Sequence, residues 1–383
     1  MINILFISSR ADIGGGPLQM FDIISNIDRD KFTIFAALPD EEPFYGKIKS
    51  LGVKTLPISK RSISILDFIR LVKFVYSNNI DIIHSHGKGA GIYSRPLKLF
   101  CPKVKVIHTF HGFHYDRMSK AKEWLHKTAE KFLSRFTDRF INVSEGEQLR
   151  YASAGLLDFK KSVLIKNFLP LEKLKIIEQL LKNIGGETSL EKPAPKAKLD
   201  PADNILRFCA VARFDPVKQM PFLVEAFVKA SNSLGQKIKL IIAGGGEEFE
   251  KCRELAARMN AGSLIDFLGE RTDAFEIMAG CDIYVSASRR EGLSMSMLEA
   301  AAMGMPILAP RVPGIAELVR PYEKGVLFEN ADYESFARAM ALIIEKYNAS
   351  RKRAGVPENF AARYEEHKNY IKKYEKLYIE TLS

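Results

Sequence analysis

Short apolar runs alternate with helical patterns along almost the whole chain, and the alternation breaks only once. "INILFIS" leads through a glycine turn into the helical "PLQMFDIISNI". "FTIFAAL", "IDIIHSHG", "VKVIHTFHG" and "RFINVS" follow, each separated from the next by a helix-length segment. Strands and helices in this rhythm predict a parallel sheet covered on both faces. The rhythm stops near 168 and resumes near 205 with "RFCAVAR", "KLIIAGG", "LIDFLG", "CDIYVSAS" and "PILAP". A second sheet of the same kind is therefore expected, and 383 residues suit two domains better than one core.

The expected division is a first domain over 1–168, a helix plus flexible linker over 169–204, and a second domain over 205–357. In the middle segment, Leu171, Leu174, Ile177, Leu181 and Ile184 line one helical face. "GGETSLEKPAPKAKLDPADN" then has the Pro, Gly and Lys content of a linker. The tail, 358–383, reads as a helix long enough to pack back on the first domain through Tyr364, Tyr370, Tyr374, Leu377 and Tyr378.

Several classes are disfavoured. With 46% hydrophobic and 27% charged residues the composition is that of a soluble globular chain. No apolar run approaches the ~18 residues of a spanning helix. "MINILFISSR" lacks a basic start and a cleavage pattern and reads as a first strand. Cys101, Cys209, Cys252 and Cys281 are scattered, which suits buried thiols in a reducing cytoplasm. The charge is uneven: residues 1–170 carry 26 Lys/Arg against 16 Asp/Glu, and the remainder 31 against 30. A basic first half points to an anionic partner, whether nucleic acid, membrane or phosphate-bearing molecules.

Ligands of open parallel sheets bind beyond the carboxyl ends of the strands. After the first strand stand Gly14, Gly15 and Gly16, leading into a helix; they serve either as a tight turn or as a backbone cradle for a phosphate or sugar. Five of the seven histidines cluster after two later strands: His84, His86, His108, His111 and His114. Zinc is one reading, but no carboxylate or cysteine shares the spacing, and hydrogen bonding to a polar ligand is preferred. His84 and His108 also fit as buried supports of the sheet. Asp28-Arg29-Asp30 has the D-x-D pattern of a metal site, yet its place between a helix and a strand predicts a solvated turn.

In the second half, Arg213 and Lys218 follow the first strand, either as a surface pair or as a clamp for a diphosphate. Gly244 to Gly246 form a second glycine turn, and Glu270 and Arg271 follow the next strand. Glu291 and Glu299 come after the one beyond. Ser296 to Glu299 reads as a capping box, which gives Glu299 a structural role and leaves Glu291 without one.

Taken in order, these motifs resemble family 4 of the retaining glycosyltransferases. Glu291 to Glu299 resembles its E-x7-E motif, Arg213 to Lys218 its R-x4-K, and Gly14 to Gly16 its glycine loop. "HTFHGFHY" resembles the His-Gly segment of members that build capsular, exopolysaccharide or lipopolysaccharide glycans. The resemblance covers nearly everything except 171–205. It implies an α/β chain of GT-B fold, two doubly wound Rossmann-like domains facing across a cleft. It implies transfer of a sugar, with retention, from a nucleotide diphosphate (UDP foremost) to a lipid-linked or oligosaccharide acceptor, with no cofactor, no metal and no nucleic acid.

The resemblance assigns His111, Arg213, Lys218 and Glu291 to catalysis. It assigns Gly15, Gly16, Gly245, Glu270, Arg271, Gly292, Leu293, Ser294 and Glu299 to donor binding, with Glu291 on sugar hydroxyls and Glu299 on the ribose. Two departures bear on the donor: Leu293 and Ser294 stand where many members have Phe-Gly, and Ala212 and Gln219 replace glycines around the basic pair. The alternatives are a GT-B sugar-nucleotide 2-epimerase, a non-catalytic nucleotide-sugar or lipid binder, and an oxidoreductase, which the missing G-x-G-x-x-G disfavours.

The basic first half also suggests peripheral docking at the cytoplasmic face of an anionic membrane, where a lipid-linked acceptor would be reached. Trp124, Thr128, Phe132 and Phe136 recur every four residues and read as a helix stripe turned into the core. Lys127, Lys131 and Arg135 beside them are either simply solvated or face lipid headgroups.

Overall fold

The computed structural model describes residues 1–12, 14–60, 64–112, 119–185, 205–350 and 360–383. The expected linker after Gly185 and the candidate His114 lie outside the described residues. The chain divides into two compact units, Met1–Leu171 with Glu365–Ser383, and Glu172–Tyr364.

In the first unit, β1 (Ile2–Ser8), α1 (Gly15–Asn26), β2 (Phe32–Leu38), α2 (Phe44–Ser50), β3 (Lys54–Pro57) and α3 (Ile65–Ser77) come first. They are followed by β4 (Ile82–His86), α4 (Gly87–Phe100), β5 (Lys105–Thr109), α5 (Lys120–Leu133), β6 (Arg139–Asn142), α6 (Glu145–Ser153) and β7 (Ser162–Leu164). The seven strands pair in parallel in the order β3-β2-β1-β4-β5-β6-β7. The order reverses between β1 and β4, so the chain ends of those strands part there and leave a crevice. Register brings Ser8 beside His86 and His86 beside Thr109, which sets three strand ends level.

Helix α7 (Leu171–Gly185) falls almost entirely within the second unit. There β8 (Leu206–Val211), α8 (Met220–Ser231), β9 (Ile238–Ala243), α9 (Phe249–Arg258), β10 (Ile265–Gly269) and α10 (Ala274–Ala279) precede β11 (Ile283–Val285). Then come α11 (Met295–Ala302), β12 (Ile307–Pro310), α12 (Pro313–Val319), β13 (Gly325–Phe328) and α13 (Tyr333–Ser350), whereas α14 (Phe360–Leu382) belongs from Glu365 onward to the first unit. This sheet is also parallel, in the order β10-β9-β8-β11-β12-β13, reversing between β8 and β11. Both sheets have the doubly wound Rossmann order, and the fold is GT-B.

Strands buried on both faces read as continuous apolar runs, and β1, β2 and β9 do so. The first unit's main core includes Ile4, Phe6, Ile23, Phe32 and Ile82, closed by Tyr370, Tyr374 and Tyr378 of α14. Gln19 of α1 donates to the hydroxyls of Tyr370 (3.0 Å) and Tyr374 (3.2 Å), so these rings are buried without stranding their polar ends. The four cysteines are buried thiols.

Two local expectations fail. Helix α11 begins at Met295 with Ser294 as its N-cap, so Ser296 lies inside the helix and forms no capping box with Glu299. An N-cap of this kind does exist at Ser144, whose hydroxyl accepts from the Glu147 N–H (3.1 Å). The stripe over α5 is also turned the other way: Trp124, Thr128 and Phe132 are exposed and Phe136 is half-buried, while Glu130 and Leu133 are buried.

Candidate active-site residues

In the first unit the residues gather at the crevice between β1 and β4. A Cβ built on Gly16 would lie 3.2 Å from the His111 ring, so the glycine loop at the start of α1 packs directly on that imidazole. His86, the last residue of β4, places Nδ1 3.1 Å from His111 Nε2, and the rings stack at 22°. One nitrogen donates and the other accepts, so the contact couples the two tautomers. Among the described residues His86 Nε2 is buried and has no partner. Burial, with its histidine neighbours adding to it, pushes the His86 pKa well below the usual range and holds the ring neutral.

The other two described histidines of the cluster support the sheet. His84 is fully buried, with Nδ1 2.7 Å from the Tyr378 hydroxyl and Nε2 2.7 Å from Thr109 Oγ1. Burial lowers its pKa to about 3. His108 lies 2.8 Å from Ser85 Oγ and is also held neutral by burial. Among the described residues no group of three His, Cys, Asp or Glu is placed to hold a metal ion. Asp28 and Asp30 form the expected surface turn, in which Asp28 pairs with Lys31 and accepts from the Asp30 N–H.

Sequence reading missed what fixes the His111–Gly112 loop. Glu147 of α6 accepts from the Gly112 N–H and the Val143 N–H, and the Tyr151 hydroxyl donates to the Gly112 carbonyl (2.9 Å). Glu147 and Tyr151 are one turn apart, so one helix face grips both sides of the peptide. The signal that could have found Glu147 is the S-x-x-E of Ser144.

In the second unit the loops after β8 and β11 flank the other reversal point, and they are joined. Lys218 Nζ pairs with Glu291 Oε1, with both side chains largely buried. The Arg289 N–H donates to the Val217 carbonyl (3.0 Å) and ties the same loops through the backbone. Arg213 projects outward, 67% exposed, and pairs with Asp215 (2.8 Å). Lys218 and Glu291 are thus brought together, while Arg213 of the expected clamp stands in a separate pair.

The second glycine turn supports the Arg213 loop. Gly244 has φ +141, and a Cβ on it would lie 1.9 Å from the Ala212 carbonyl oxygen. The Phe214 N–H donates to the Gly245 carbonyl (2.8 Å). Gly245 packs on Glu270, whereas Arg271 is exposed and pairs with Asp273 (2.7 Å). Gln219 adopts φ 51 and ψ 42 at the start of α8, a left-handed geometry that the glycine expected at this position would take without strain.

Glu299 is buried and pairs with Lys173 of α7, a partner no motif announced. Burial raises its carboxyl above the usual range, and Lys173 pulls it part of the way back. Leu293 and Ser294 are buried beside Gly292 at the foot of α11. A Cβ on Gly314 would fall 1.6 Å from the Gly292 carbonyl oxygen, so the start of α12 presses on the Glu291–Gly292 backbone. That contact, too, was invisible in the sequence.

Comparison with known proteins agrees with this organisation. Residues 13–173 match the model for Glycosyltransferase Family 4, and residues 191–356 the model for Glycosyl transferases group 1. An Escherichia coli relative, UDP-Gal:alpha-D-GlcNAc-diphosphoundecaprenol alpha-1,3-galactosyltransferase, is 25% identical over 88% of this chain and 89% of its own. The Campylobacter jejuni N,N'-diacetylbacillosaminyl-diphospho-undecaprenol alpha-1,3-N-acetylgalactosaminyltransferase is 24% identical over 93% of this chain and 94% of its own. Anabaena HepE, solved with UDP and glucose, has the same fold at a TM-score of 0.76 and 18% identity, covering 100% of both chains.

Proposed function

Because the chain belongs to the glycosyltransferases that pair a Family 4 first half with a group 1 second half, we propose that it moves a sugar from a UDP-linked donor to a lipid-linked acceptor. The anomeric configuration is retained, and the product is a cell-surface glycan. The Lys218–Glu291 pair across the β8/β11 reversal point carries this reading. Without donor the two charges satisfy one another. With donor, Lys218 turns to the diphosphate and Glu291 accepts from hydroxyls of the sugar. The groups are already in place, so little reorganisation accompanies the development of charge on the leaving diphosphate.

Arg213 leaves its exposed pair with Asp215 to supply a second cation, and the two cations take the part a metal plays elsewhere. Glu299 accepts from the ribose hydroxyls. Gly245, Glu270, Arg271 and the Gly292–Ser294 turn surround the nucleotide. In the first unit the Gly15 and Gly16 amides and His111 meet the transferred sugar, with His111 held in one tautomer by neutral His86. No side-chain nucleophile is invoked; departure and attack occur on one face of the sugar.

The lipid-linked acceptor is supported by the E. coli and C. jejuni relatives, whose names specify diphosphoundecaprenol-linked sugars. It brings the chain to the cytoplasmic face of the membrane. The test is a panel of nucleotide sugars, each with and without an undecaprenyl-diphosphate-linked acceptor, and the product linkage read by NMR. An α-linked product from an α-linked donor, formed only with acceptor, is expected. Epimerised donor in the acceptor-free reaction, or tight donor binding with no turnover across the panel, would overturn the transferase reading.

A further inference from the structure

Helix α5 turns most of its large apolar side chains outward and buries a charge. Its inward face carries a buried charge beside the buried Leu133: Glu130 makes a two-point ion pair with Arg95 of α4 (2.7 and 3.1 Å), and both side chains are buried. Arg95 also donates to the Gly91 carbonyl (3.0 Å), which satisfies the guanidinium without solvent. The outward face is apolar: Trp124 is 68% exposed, Leu125 61% and Phe132 52%. Apolar side chains scattered singly on a surface need no explanation, but three on one helix face, opposite a buried charge pair, do.

The charges around this face have one sign. Lys120, Lys122, Lys131 and Arg135 are exposed, and Arg135 lies over the Phe132 ring (6.0 Å). The two acidic residues of the helix are withdrawn: Glu130 is buried on Arg95, and Glu123 pairs with Lys127 (2.6 Å). Apolar residues ringed by exposed cations complement an anionic bilayer, whose surface offers phosphates above hydrocarbon. Among the described residues no helix is long and apolar enough to cross a membrane, so the contact is with the interface.

We infer that the outward face of α5 docks this chain on an anionic bilayer, with Trp124, Leu125 and Phe132 at the acyl boundary and the four cations at the headgroups. The inference deepens the lipid-linked-acceptor reading, which supplies the need for a bilayer, but the docking chemistry requires neither donor nor acceptor. The basic stripe expected at Lys127, Lys131 and Arg135 is thereby revised: Lys127 is occupied by Glu123, and the apolar stripe itself meets the lipid.

Trp124 is the only tryptophan in the chain, so its emission reports on this face alone. The experiment titrates the full chain with vesicles of phosphatidylcholine, with and without one-third phosphatidylglycerol, in the absence of donor and acceptor. A blue shift and protection from acrylamide quenching are expected with the anionic vesicles. Leu125→Ser with Phe132→Ser keeps the reporter and should weaken partition by tenfold or more. Changing Lys120, Lys122, Lys131 and Arg135 to Ser should weaken it by about two to three orders of magnitude and abolish the preference for anionic lipid. These positions are exposed, and a circular-dichroism melt confirms that each variant folds. No shift at saturating anionic vesicles in low salt would overturn the inference. So would a concentration-dependent shift without lipid, which would assign the face to a second copy of the chain. Failure of the transferase assay with the shift intact would leave the docking standing.

Discussion

Lys218 and Glu291, 73 positions apart, form an ion pair that bridges the loops on either side of the reversal point of the second sheet. The expected partner of Lys218 across the donor, Arg213, instead faces solvent and pairs with Asp215. The pair stores both charges where the sugar and diphosphate are expected.

Lys218→Ala and Arg213→Ala should each lower kcat by about 10²–10³, the loss of roughly 2–4 kcal/mol of transition-state stabilisation. Lys218→Ala also leaves Glu291 without its partner, so it should cost more in melting temperature than Arg213→Ala. Steady-state kinetics and thermal melts check both statements. Wild-type turnover in either variant would remove that residue from the diphosphate site.

Glu299→Gln separates the ribose role from stability. Burial raises the Glu299 carboxyl above 4.5, so the folded chain holds a proton there more readily than the unfolded chain does. Stability from this group is therefore greatest below the unfolded value and falls as pH rises through the raised folded one. The Gln variant lacks this loss and should melt no lower than wild type at pH 8, with the two curves converging near pH 4. Nucleotide affinity by calorimetry should fall. Unchanged affinity would exclude the ribose contact, and a lower melting temperature at pH 8 would reverse the sign argued here.

The buried histidines should make the first sheet acid-labile. Burial holds His84 at about 3 and His86 and His108 well below 6.5, while the unfolded chain protonates near 6.5. As pH falls below about 6.5 the unfolded state binds more protons, and stability drops by up to ~1.4 kcal/mol per pH unit for each histidine. Hydrogen exchange of the β4 and β5 amides at pH 7.5 and 5.5 measures this, and His84→Asn should flatten the slope. Equal protection at both pH values, after correction for intrinsic exchange, would contradict it.

His86 should act on the reaction through His111. His86→Phe keeps an aromatic ring and removes the 3.1 Å contact, so kcat should fall and its pH profile should move while donor affinity holds. His111→Ala should cost turnover with no such shift to measure. An unaltered profile in His86→Phe would reduce His86 to packing.

Turnover should survive excess chelator, because two cations serve the diphosphate. Activity lost to chelation and restored by magnesium or manganese would reopen the first unit's histidines as ligands.

Period and spacing alone carried the two parallel sheets, the glycine turns and the order of charged motifs past the strand ends, because each is a property of adjacent residues. Alternating strand and helix lengths leave few topologies, and ligand chemistry then follows the strand ends. Tertiary structure decided which charges meet. Lys218 finds Glu291, Glu299 finds Lys173 and Glu147 holds Gly112 because strand order and helix placement bring distant loops together. It also decided the facing of α5: the four-residue recurrence of Trp124 and Phe132 defines a stripe but not its direction. The ion pair of Glu130 with a buried arginine, 35 positions away, turned that stripe outward.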